Sequence, residues 1–291
     1  MNDALADNRL RTYAEFIKVE HTVFSLPLIF AGALLHRASP LTAGAAGLAV
    51  CAAIGARVMA MGLNRLIDEE IDARNPRTRQ RVLPRGAMRR WEALLIVVLA
   101  GALYAASAWA IAPVCLWLSP LPVALFVVYP YLKRFTAFAH LGLGLAWSMA
   151  PVGGWLAASR SLTGVREVGW LWLFSIFWVA GFDIIYATLD EAFDRQARLH
   201  ALPARLGVRP ALRVAAAAHA AAFAALAALW ASQLGTALSG AWLLAIGSLF
   251  IWQHRVAERN PEQAFFEINA IIGLFILAML MTAAWSWPQP G

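Results

Sequence analysis

Two short acidic stretches of this 291-residue chain place carboxylates four residues apart beside long apolar runs. Each stretch has one uncharged polar residue followed by two aspartates at the same spacing: Asn64, Asp68 and Asp72 in NRLIDEEID, and Tyr186, Asp190 and Asp194 in YATLDEAFD. Successive residues of an α-helix turn by about 100°, so side chains four residues apart lie along one face. The spacing therefore predicts that each stretch presents two carboxylates to the same side.

Carboxylate and amide oxygens at this spacing are the ligands that hard divalent cations prefer. Four aspartates converging without counter-charge would repel one another and take up protons. Mg²⁺ binds one or two carboxylates, keeps several waters and fills its remaining positions with substrate phosphates. The two stretches therefore predict two Mg²⁺ ions that together hold a diphosphate, with arginines neutralising the remaining charge. The alternative is that each pair of acids is an ordinary solvated helix face.

The composition predicts that these stretches lie in a membrane protein. Hydrophobic residues make up 61% of the chain and charged residues 14%, with a mean hydropathy of +0.62, whereas a soluble globular chain is about half apolar and a quarter charged. The first residues lack the apolar core of a removable signal, so we expect the amino terminus to be retained. Windows of about twenty apolar residues predict nine spans: 22–37, 42–64, 91–111, 113–131, 137–158, 168–188, 211–232, 235–254 and 265–285.

The basic residues predict how these spans are oriented. All Lys and Arg except Arg37, Arg57, Arg160 and Arg166 precede the first span or follow spans two, four, six and eight. Cytoplasmic loops are enriched in Lys and Arg, so this side, with both acidic stretches, is predicted to face the cytoplasm. The net charge of +7 is explained by this bias rather than by nucleic-acid binding. A diphosphate held at this face with its other end in the membrane is most simply a polyprenyl diphosphate.

The predicted reaction is loss of pyrophosphate from an allylic carbon. Metal ions stabilise the charge that develops on departing oxygens. The resulting carbocation must be shielded from water, and aromatic faces along the spans can stabilise it. A secondary transporter that couples ions through buried charges is the alternative from another class. The clustering of the acids at one membrane face, rather than near the midplane, favours the enzyme.

Several further motifs make the chain resemble the UbiA superfamily of intramembrane aromatic prenyltransferases. The first stretch resembles the family's NxxxDxxxD motif with its downstream N-x-R-T-x-x-R-x-L-P-x-G tail, and the second resembles YxxxDxxxD. Other matches are IKVEHTVFSLP at 17–27, YPYLKRFT at 129–136 and FFEINAIIGLF at 265–275. The resemblance covers nearly all of 1–291 and implies one all-α integral membrane domain. It also implies nine transmembrane helices around a central cavity, cytoplasmic cap segments, Mg²⁺ and an isoprenoid diphosphate donor.

Within the superfamily, YPxxKRxT and NPRTxxRxLPxG resemble the 4-hydroxybenzoate polyprenyltransferase branch. HTVFSLP and HALPAR are more similar to relatives assigned to menaquinone synthesis through futalosine. The resemblance thus implies prenylation of an aromatic ring carbon at the inner membrane, for ubiquinone or menaquinone, without an obligate protein partner. Dihydroxynaphthoate, haem or a chlorophyll precursor remain alternative acceptors. The chain departs from the usual D-R-x-x-G-L-H-S by having Arg198 and Ala201, although glycine would favour left-handed backbone there.

The aspartates and nearby basic residues are expected to hold the metal and the diphosphate. We expect Asp68, Asp72, Asp190 and Asp194 to be metal ligands, with Asn64 as a neutral ligand or a diphosphate donor. The basic residues expected to bind diphosphate oxygens are Arg65, Lys133, Arg134 and Arg195. The alternative for these cations is a role as orientation signals and lipid contacts.

The remaining candidates lie deeper in the predicted spans. Arg57 is expected to line the pocket, where it or Arg134 could hold a carboxylate of the acceptor; the alternative is a structural ion pair with Asp183. Asp183 itself is expected to orient the acceptor or take the proton lost when the ring regains aromaticity, unless burial keeps it protonated. Tyr186 is expected to donate to phosphate, to face the cation or simply to pack. Asn269 is expected to form an interhelical hydrogen bond.

The cysteines and histidines indicate no further chemistry. Cys51 and Cys115 lie in apolar surroundings without a CxxC partner, so we expect them to be packing residues. The six histidines show no metal-ligand spacing.

Overall fold

A computed structural model describes residues 2–17 and 25–287, which form α-helices joined by short connections and contain no strand. Within these residues the helices are α1 (Asn2–Ile17), α2 (Leu26–Leu34), α3 (Ala43–Ile67), α4 (Glu69–Arg74), α5 (Arg90–Ile111), α6 (Pro113–Leu118), α7 (Pro120–Leu132), α8 (Ala139–Ser159), α9 (Gly169–Ala187), α10 (Glu191–Gln196), α11 (Leu202–Leu206), α12 (Val208–Leu229), α13 (Ala237–Ala257) and α14 (Pro261–Ala284). The prediction of an all-α chain is confirmed for the described residues.

Helix length and apolar content identify this as a multi-pass membrane protein. The described residues contain seven segments long and apolar enough to cross a membrane: Ala43–Ile67, Arg90–Ile111, Pro113–Leu132, Ala139–Ser159, Val165–Gln196, Val208–Leu234 and Pro261–Ala284. They match seven of the nine predicted spans.

The other two predicted spans correspond to α2, which is too short, and to α13, which is long enough but less apolar. For span 22–37 the structure describes the nine-residue α2, and residues 22–24 lie outside the described part. Span 235–254 corresponds to α13, which is 21 residues long and carries Gln253, His254 and Arg255 near its end. These polar side chains lower the hydropathy of α13.

Prolines interrupt the fourth predicted span. Helix α6 ends at Leu118 and α7 begins at Pro120, with Ser119 between them. Pro120 has no N–H to continue the hydrogen-bond ladder, and its ring crowds the preceding turn. The Ser119 N–H bonds instead to the Leu116 carbonyl at 3.1 Å. The apolar segment is therefore two helices.

Close backbone contacts hold α2 and α8 together. A Cβ atom added to Gly154 would lie 1.8 Å from the carbonyl oxygen of Ile29, and one added to Gly32 would lie 2.0 Å from that of Pro151. Small residues let helices approach closely where apolar burial against lipid provides little driving force. These glycines therefore set the distance between α2 and α8.

Three predicted cytoplasmic segments meet at one end of the helices. The guanidinium of Arg134, after α7, donates to the carbonyl oxygen of Ile67 at the end of α3, at 2.6 Å. The N–H of His200, between α10 and α11, donates to the carbonyl oxygen of Lys133 at 2.7 Å. The segments after predicted spans two, four and six therefore lie together, which agrees with the alternation inferred from the basic residues.

Helix α1 covers part of the same end. Phe16 is fully buried against Val82, Leu83 and Met88 of the segment after α4. Arg85 also pairs with Glu15 of α1 at 2.8 Å. Lys18, His21 and the rest of 18–24, within the IKVEHTVFSLP motif, lie outside the described residues. Helix α1 thus packs against the segment after α4, which follows the first acidic stretch.

Candidate functional site

A cavity of about 390 Å³ opens between the helices beside the two acidic stretches. Its wall is mainly apolar and aromatic, with side chains from α3, α7, α8, α9 and α14. The charged and amide residues that line it are Arg57, Asn64, Arg65, Arg81, Asp183 and Asn269. The cavity therefore combines an apolar interior with a few polar groups, as small-molecule sites commonly do.

The first acidic stretch continues from α3 into α4 with Asp68 at the junction. The Asp68 N–H bonds to the Asn64 carbonyl at 2.9 Å, and the Asp72 N–H bonds to the Asp68 carbonyl at 2.8 Å. This i to i+4 pattern keeps the three residues on one face, as predicted, and Asn64 Nδ2 donates to Asp68 Oδ2 at 3.3 Å. Both aspartates are buried.

Asp68 is neutralised by two cations that follow α7. Lys133 Nζ lies 2.6 Å from Asp68 Oδ2, and Arg134 Nη2 lies 3.4 Å from Asp68 Oδ1. A buried carboxylate needs such partners because an unpaired buried charge is strongly unfavourable. The YPYLKRFT motif thus supplies the counter-charge for the first acidic stretch.

Asp72 is paired within its own segment. Arg81 Nη1 lies 2.7 Å from Asp72 Oδ2, and Thr78 Oγ1 donates to the Asp72 backbone carbonyl at 3.1 Å. Arg81 also lines the cavity. The segment after α4 therefore folds back so that its arginine stands between Asp72 and the cavity.

Arg77 joins the second acidic stretch to the first. Its Nε donates to Asp190 Oδ1 at 2.8 Å, its Nη2 pairs with Asp190 Oδ2, and its Nη1 donates to the Tyr186 hydroxyl at 2.8 Å. Asn75 Nδ2 also donates to Asp190 Oδ1 at 2.8 Å. Burial lowers the pKa of Arg77, but the hydrogen bonds and charges of Asp190 and Tyr186 outweigh it and raise that pKa above its usual value. The guanidinium stays charged.

Asp194 lies at a helix end closed by a Schellman motif. The Leu199 N–H bonds to the Asp194 carbonyl at 2.8 Å, and the Arg198 N–H bonds to the Arg195 carbonyl at 3.3 Å. Arg198 has φ 56, so the position where relatives were expected to have glycine does require left-handed backbone. The Asp194 side chain is buried and makes no hydrogen bond to a described side chain.

The two acidic stretches lie at one end of the cavity, which we call its mouth. Their carboxylate and amide oxygens suit Mg²⁺ when a phosphate completes the coordination. Within 2–17 and 25–287, no three His, Cys, Asp or Glu side chains lie close enough to hold a metal by themselves. Each stretch does bring two aspartates to one side, and Mg²⁺ ordinarily takes only one or two carboxylates together with substrate phosphates. The unpaired buried carboxylate of Asp194 adds an available ligand. The donor set therefore fits the predicted group.

Two arginines, the buried Arg65 and the half-buried Arg57, have no ionic partner among the described residues. The Arg57 guanidinium carbon stands 5.1 Å from the ring centre of Trp147, and that of Arg65 stands 5.9 Å from the ring centre of Phe16. The Nε atom of each is buried and has no hydrogen-bond partner in the described part of the chain. Arg57 is therefore not paired with Asp183, which was the structural alternative.

Asp183 pairs with a histidine instead. His140 Nδ1 lies 2.7 Å from Asp183 Oδ2. The Tyr186 ring, one turn further along α9, stacks on Phe265 with ring centres 4.2 Å apart. Asn269 accepts from Trp178 Nε1 at 2.8 Å, which is the predicted interhelical hydrogen bond.

Comparisons with known proteins identify the family of this chain. The UbiA prenyltransferase family matches residues 25–271. The chain belongs to this family. It is 31% identical over 226 residues to the 4-hydroxybenzoate octaprenyltransferase of Vibrio cholerae, which covers 77% of this chain and 78% of that protein.

Two solved structures of UbiA homologues have the same fold. The apo structure of a UbiA homolog from Aeropyrum pernix K1 is 36% identical, with a TM-score of 0.84 over 91% of this chain and 98% of that chain. A UbiA homolog from Archaeoglobus fulgidus bound to GPP and Mg²⁺ is 18% identical, with a TM-score of 0.70 over 94% of this chain and 99% of that chain. Family and relatives indicate an enzyme, an aromatic prenyltransferase, rather than a transporter.

The structure places most predicted residues of this UbiA-family site together, but Arg195 stands apart. Its side chain is exposed, pairs with Glu191 one turn earlier and does not line the cavity. The reason is that Arg195 follows Asp194 by one position and therefore points about 100° away from the acidic face. The structure thus gives Arg195 a partner on α10 rather than a place at the mouth.

Four residues of the site were not singled out from sequence: Asn75, Arg77, Arg81 and His140. The first three belong to the NPRTRQR tail that resembles the family motif, so the motif itself was the available signal. Their partners were not visible, since the contacts from Asn75 and Arg77 to Asp190 cross more than a hundred residues of sequence. His140 had no local signal at all.

Proposed function

We propose that this UbiA-family chain transfers a polyprenyl group from polyprenyl diphosphate to a ring carbon of an aromatic acceptor like 4-hydroxybenzoate. The observation that carries the proposal is the bridge from Arg77 to Asp190 and Tyr186, which joins the two acidic stretches beside one cavity. The name of the Vibrio cholerae relative supports the choice of acceptor.

The four aspartates and Asn64 would hold two Mg²⁺ ions with the diphosphate of the donor. Bound Mg²⁺ would neutralise the negative charge that develops on the departing pyrophosphate oxygens. The GPP and Mg²⁺ bound to the Archaeoglobus fulgidus homologue are a precedent within the same fold. We assign Asp68, Asp72, Asp190 and Asp194 as the carboxylate ligands.

The cations around the mouth would bind the phosphate oxygens directly. Arg77 and Arg81 already form close contacts with carboxylates, and their planar N–H groups suit phosphate equally well. Lys133 and Arg134 stand at Asp68. Arg65 is buried at the cavity with a free Nε among the described contacts. These groups would hold the diphosphate while its bond to the allylic carbon breaks.

The cavity wall would hold the isoprenoid chain and protect the carbocation. Tyr186, Phe265 and Phe266 form a cluster of aromatic rings at the cavity. Ring faces attract a cation through their quadrupoles, and a wall without water prevents its hydrolysis. Trp147 and Phe182 extend the aromatic wall deeper.

The acceptor would lie deeper, between Arg57 and Asp183. The Arg57 guanidinium lies beside Trp147, and its buried Nε has no partner among the described residues, so its donors would suit the carboxylate of a 4-hydroxybenzoate-like acid. Asp183 lines the same cavity and would accept the proton lost from the ring. Futalosine-derived acids, dihydroxynaphthoate, haem and chlorophyll precursors remain the other acceptors to compare.

We further propose that nine helices cross the inner membrane, with α2 and α13 added to the seven apolar segments. The basic connections around the mouth would form cytoplasmic caps. Prenylation at this site would serve ubiquinone or menaquinone synthesis. Neither nucleic acid nor an obligate protein partner is needed for this function.

The test is a product assay with purified protein, geranyl diphosphate, Mg²⁺ and a panel of aromatic acids, read by mass spectrometry. We expect a prenylated ring with a 4-hydroxybenzoate-like acid, and loss of product on Asp68→Ala or Asp190→Ala. Glu70→Ala is the matched control, because Glu70 is exposed on α4 and only its backbone carbonyl, which accepts from Arg74, has a partner among the described contacts. Near-normal turnover by either aspartate variant would contradict the mechanism.

A further inference from the structure

His140 is a buried histidine of α8 whose two ring nitrogens both have partners. Nδ1 lies 2.7 Å from Asp183 Oδ2 on α9. Nε2 lies 3.3 Å from the backbone nitrogen of Leu202, the first residue of α11. The imidazole therefore connects a carboxylate of the cavity wall with the segment that closes this end of the helices. The mechanism proposed above makes no use of it.

The partners define which nitrogen of His140 carries the proton. A backbone N–H can only donate, so Nε2 must present its lone pair to Leu202. The proton of the neutral ring is then on Nδ1, and Nδ1–H donates to Asp183 Oδ2. The contact therefore holds Asp183 Oδ2 through a donated hydrogen bond.

The second oxygen of Asp183 is available to the cavity. No described residue donates a hydrogen bond to Asp183 Oδ1, and Asp183 lines the cavity. With Oδ2 held by His140, the carboxylate cannot rotate freely. A fixed carboxylate with one oxygen free to face an aromatic acceptor has the geometry that a general base requires.

We propose that His140 is a positioning residue that orients Asp183 to remove the ring proton of the acceptor. This inference rests on the proposed function. After pyrophosphate has left with the electrons of its C–O bond, the ring carbon forms a bond to the allylic carbon and the ring becomes cationic. The C–H bond at that carbon then breaks, its electron pair returns to the ring, and the proton goes to Asp183 Oδ1. His140 keeps its own proton throughout.

Two conservative variants separate the contacts of His140. The amide nitrogen of Asn lies near the position of Nδ1, so His140→Asn can still donate to Asp183. The amide of Gln reaches the position of Nε2 instead. The amide oxygen in His140→Gln can still accept from the Leu202 N–H, but Asp183 loses its hydrogen bond. His140→Leu removes both contacts. His254→Leu is the control, because His254 pairs with His219 away from the cavity.

The experiment measures turnover of an acceptor deuterated at the prenylated ring carbon against the unlabelled acceptor. For His140→Gln and His140→Leu we expect kcat to fall by about 10- to 100-fold and the isotope effect to rise, because proton removal becomes limiting. The KM for geranyl diphosphate should stay unchanged. His140→Asn should retain more of kcat, with an isotope effect near that of the wild type, and His254→Leu should not change the isotope effect.

The outcomes distinguish this inference from the proposed function. Wild-type protein that prenylates no aromatic acid contradicts both. Wild-type product together with a His140→Asn variant as slow as His140→Leu overturns the positioning role alone. Slow turnover of His140→Leu without a larger isotope effect also overturns it, because that result is what a purely structural histidine would produce.

Discussion

Arg77 makes the most contacts of any basic residue at the mouth. It holds both carboxylate oxygens of Asp190 and the hydroxyl of Tyr186, so it defines where the second acidic stretch stands relative to the first. Hydrogen bonds to charged groups contribute about 1.5–3 kcal/mol each. A single residue outside both aspartate motifs therefore controls the relative position of the two.

We predict that Arg77→Ala lowers kcat/KM for the diphosphate by about 100-fold, which corresponds to the loss of about 2.7 kcal/mol of charge-assisted hydrogen bonding. Arg77→Lys should give an intermediate loss, because an ammonium keeps the charge but cannot hold two oxygens in one plane. Initial rates over a range of geranyl diphosphate concentrations provide the measurement. Arg79→Ala, two residues away and exposed, should behave like the wild type; equal losses in both variants would contradict the assignment.

For individual residues, the sequence predicted which side chains share a face better than which side chains they contact. The i to i+4 spacing placed Asn64, Asp68 and Asp72 on one face, which the structure shows. The pairing of Asp190 with Arg77 could not be predicted, because it depends on how the segment after α4 folds back across the helix ends. Arg195 shows the opposite limit, since it follows Asp194 directly in sequence but its exposed side chain pairs with Glu191.

Among the elements, α10 ends with an arginine in the left-handed conformation, as α8 does at Arg160. Arg198 has φ 56 within a Schellman motif that fixes the carbonyl of Asp194. Left-handed backbone costs an L-residue about 1–2 kcal/mol, and glycine avoids this cost. The chain thus carries a small local strain next to a predicted metal ligand.

We predict that Arg198→Gly stabilises the folded protein by about 0.5–1 kcal/mol. Glycine removes the cost of the left-handed backbone, but its greater conformational entropy in the unfolded chain offsets part of that stabilisation. Arg213→Gly is the matched control: Arg213 is an exposed residue within α12, where glycine should destabilise by about 1 kcal/mol. The midpoints of thermal unfolding in detergent measure both. A drop in the midpoint of Arg198→Gly would show that the guanidinium itself stabilises the cap.

The helices themselves were largely predictable. Long apolar windows located seven segments that the structure shows as long apolar helices, and the prolines between 113 and 122 marked the break at Ser119. The breaks at Asp68 and before Asp190 were not predicted, because the aspartate spacing alone describes one uninterrupted helix. Both breaks occur where helices leave the apolar segment and polar side chains compete for the backbone.

For the whole molecule, the site is assembled from segments that are far apart in the chain. Lys133 reaches Asp68, Arg77 reaches Asp190 and His140 reaches Leu202. Each contact joins a different pair of helices at the same end. A ligand that binds among them should therefore stabilise the fold as a whole and not one helix.

We predict that Mg²⁺ and diphosphate together raise the thermal midpoint far more than either alone, since Mg²⁺ uses phosphate oxygens to complete its coordination. At about 100 times the dissociation constant, binding adds about 2.7 kcal/mol of stability. Differential scanning fluorimetry with inorganic pyrophosphate, with and without EDTA, measures the shift. Asp194→Asn should reduce it while Glu262→Gln, an exposed acid at the start of α14, should leave it unchanged. Equal shifts without Mg²⁺ would contradict the metal site.

The pairing of Arg77 with Asp190 also has a consequence for turnover. The Asp190 carboxylate occupies the Arg77 donors that a phosphate would use, and the Arg77 guanidinium supplies positive charge to a carboxylate that we assign as a metal ligand. In the proposed function, an incoming diphosphate would displace Asp190 from Arg77, and the same carboxylate would replace the departing pyrophosphate. Internal competition of this kind would weaken capture of the diphosphate and favour release of pyrophosphate, which carries more negative charge than the donor.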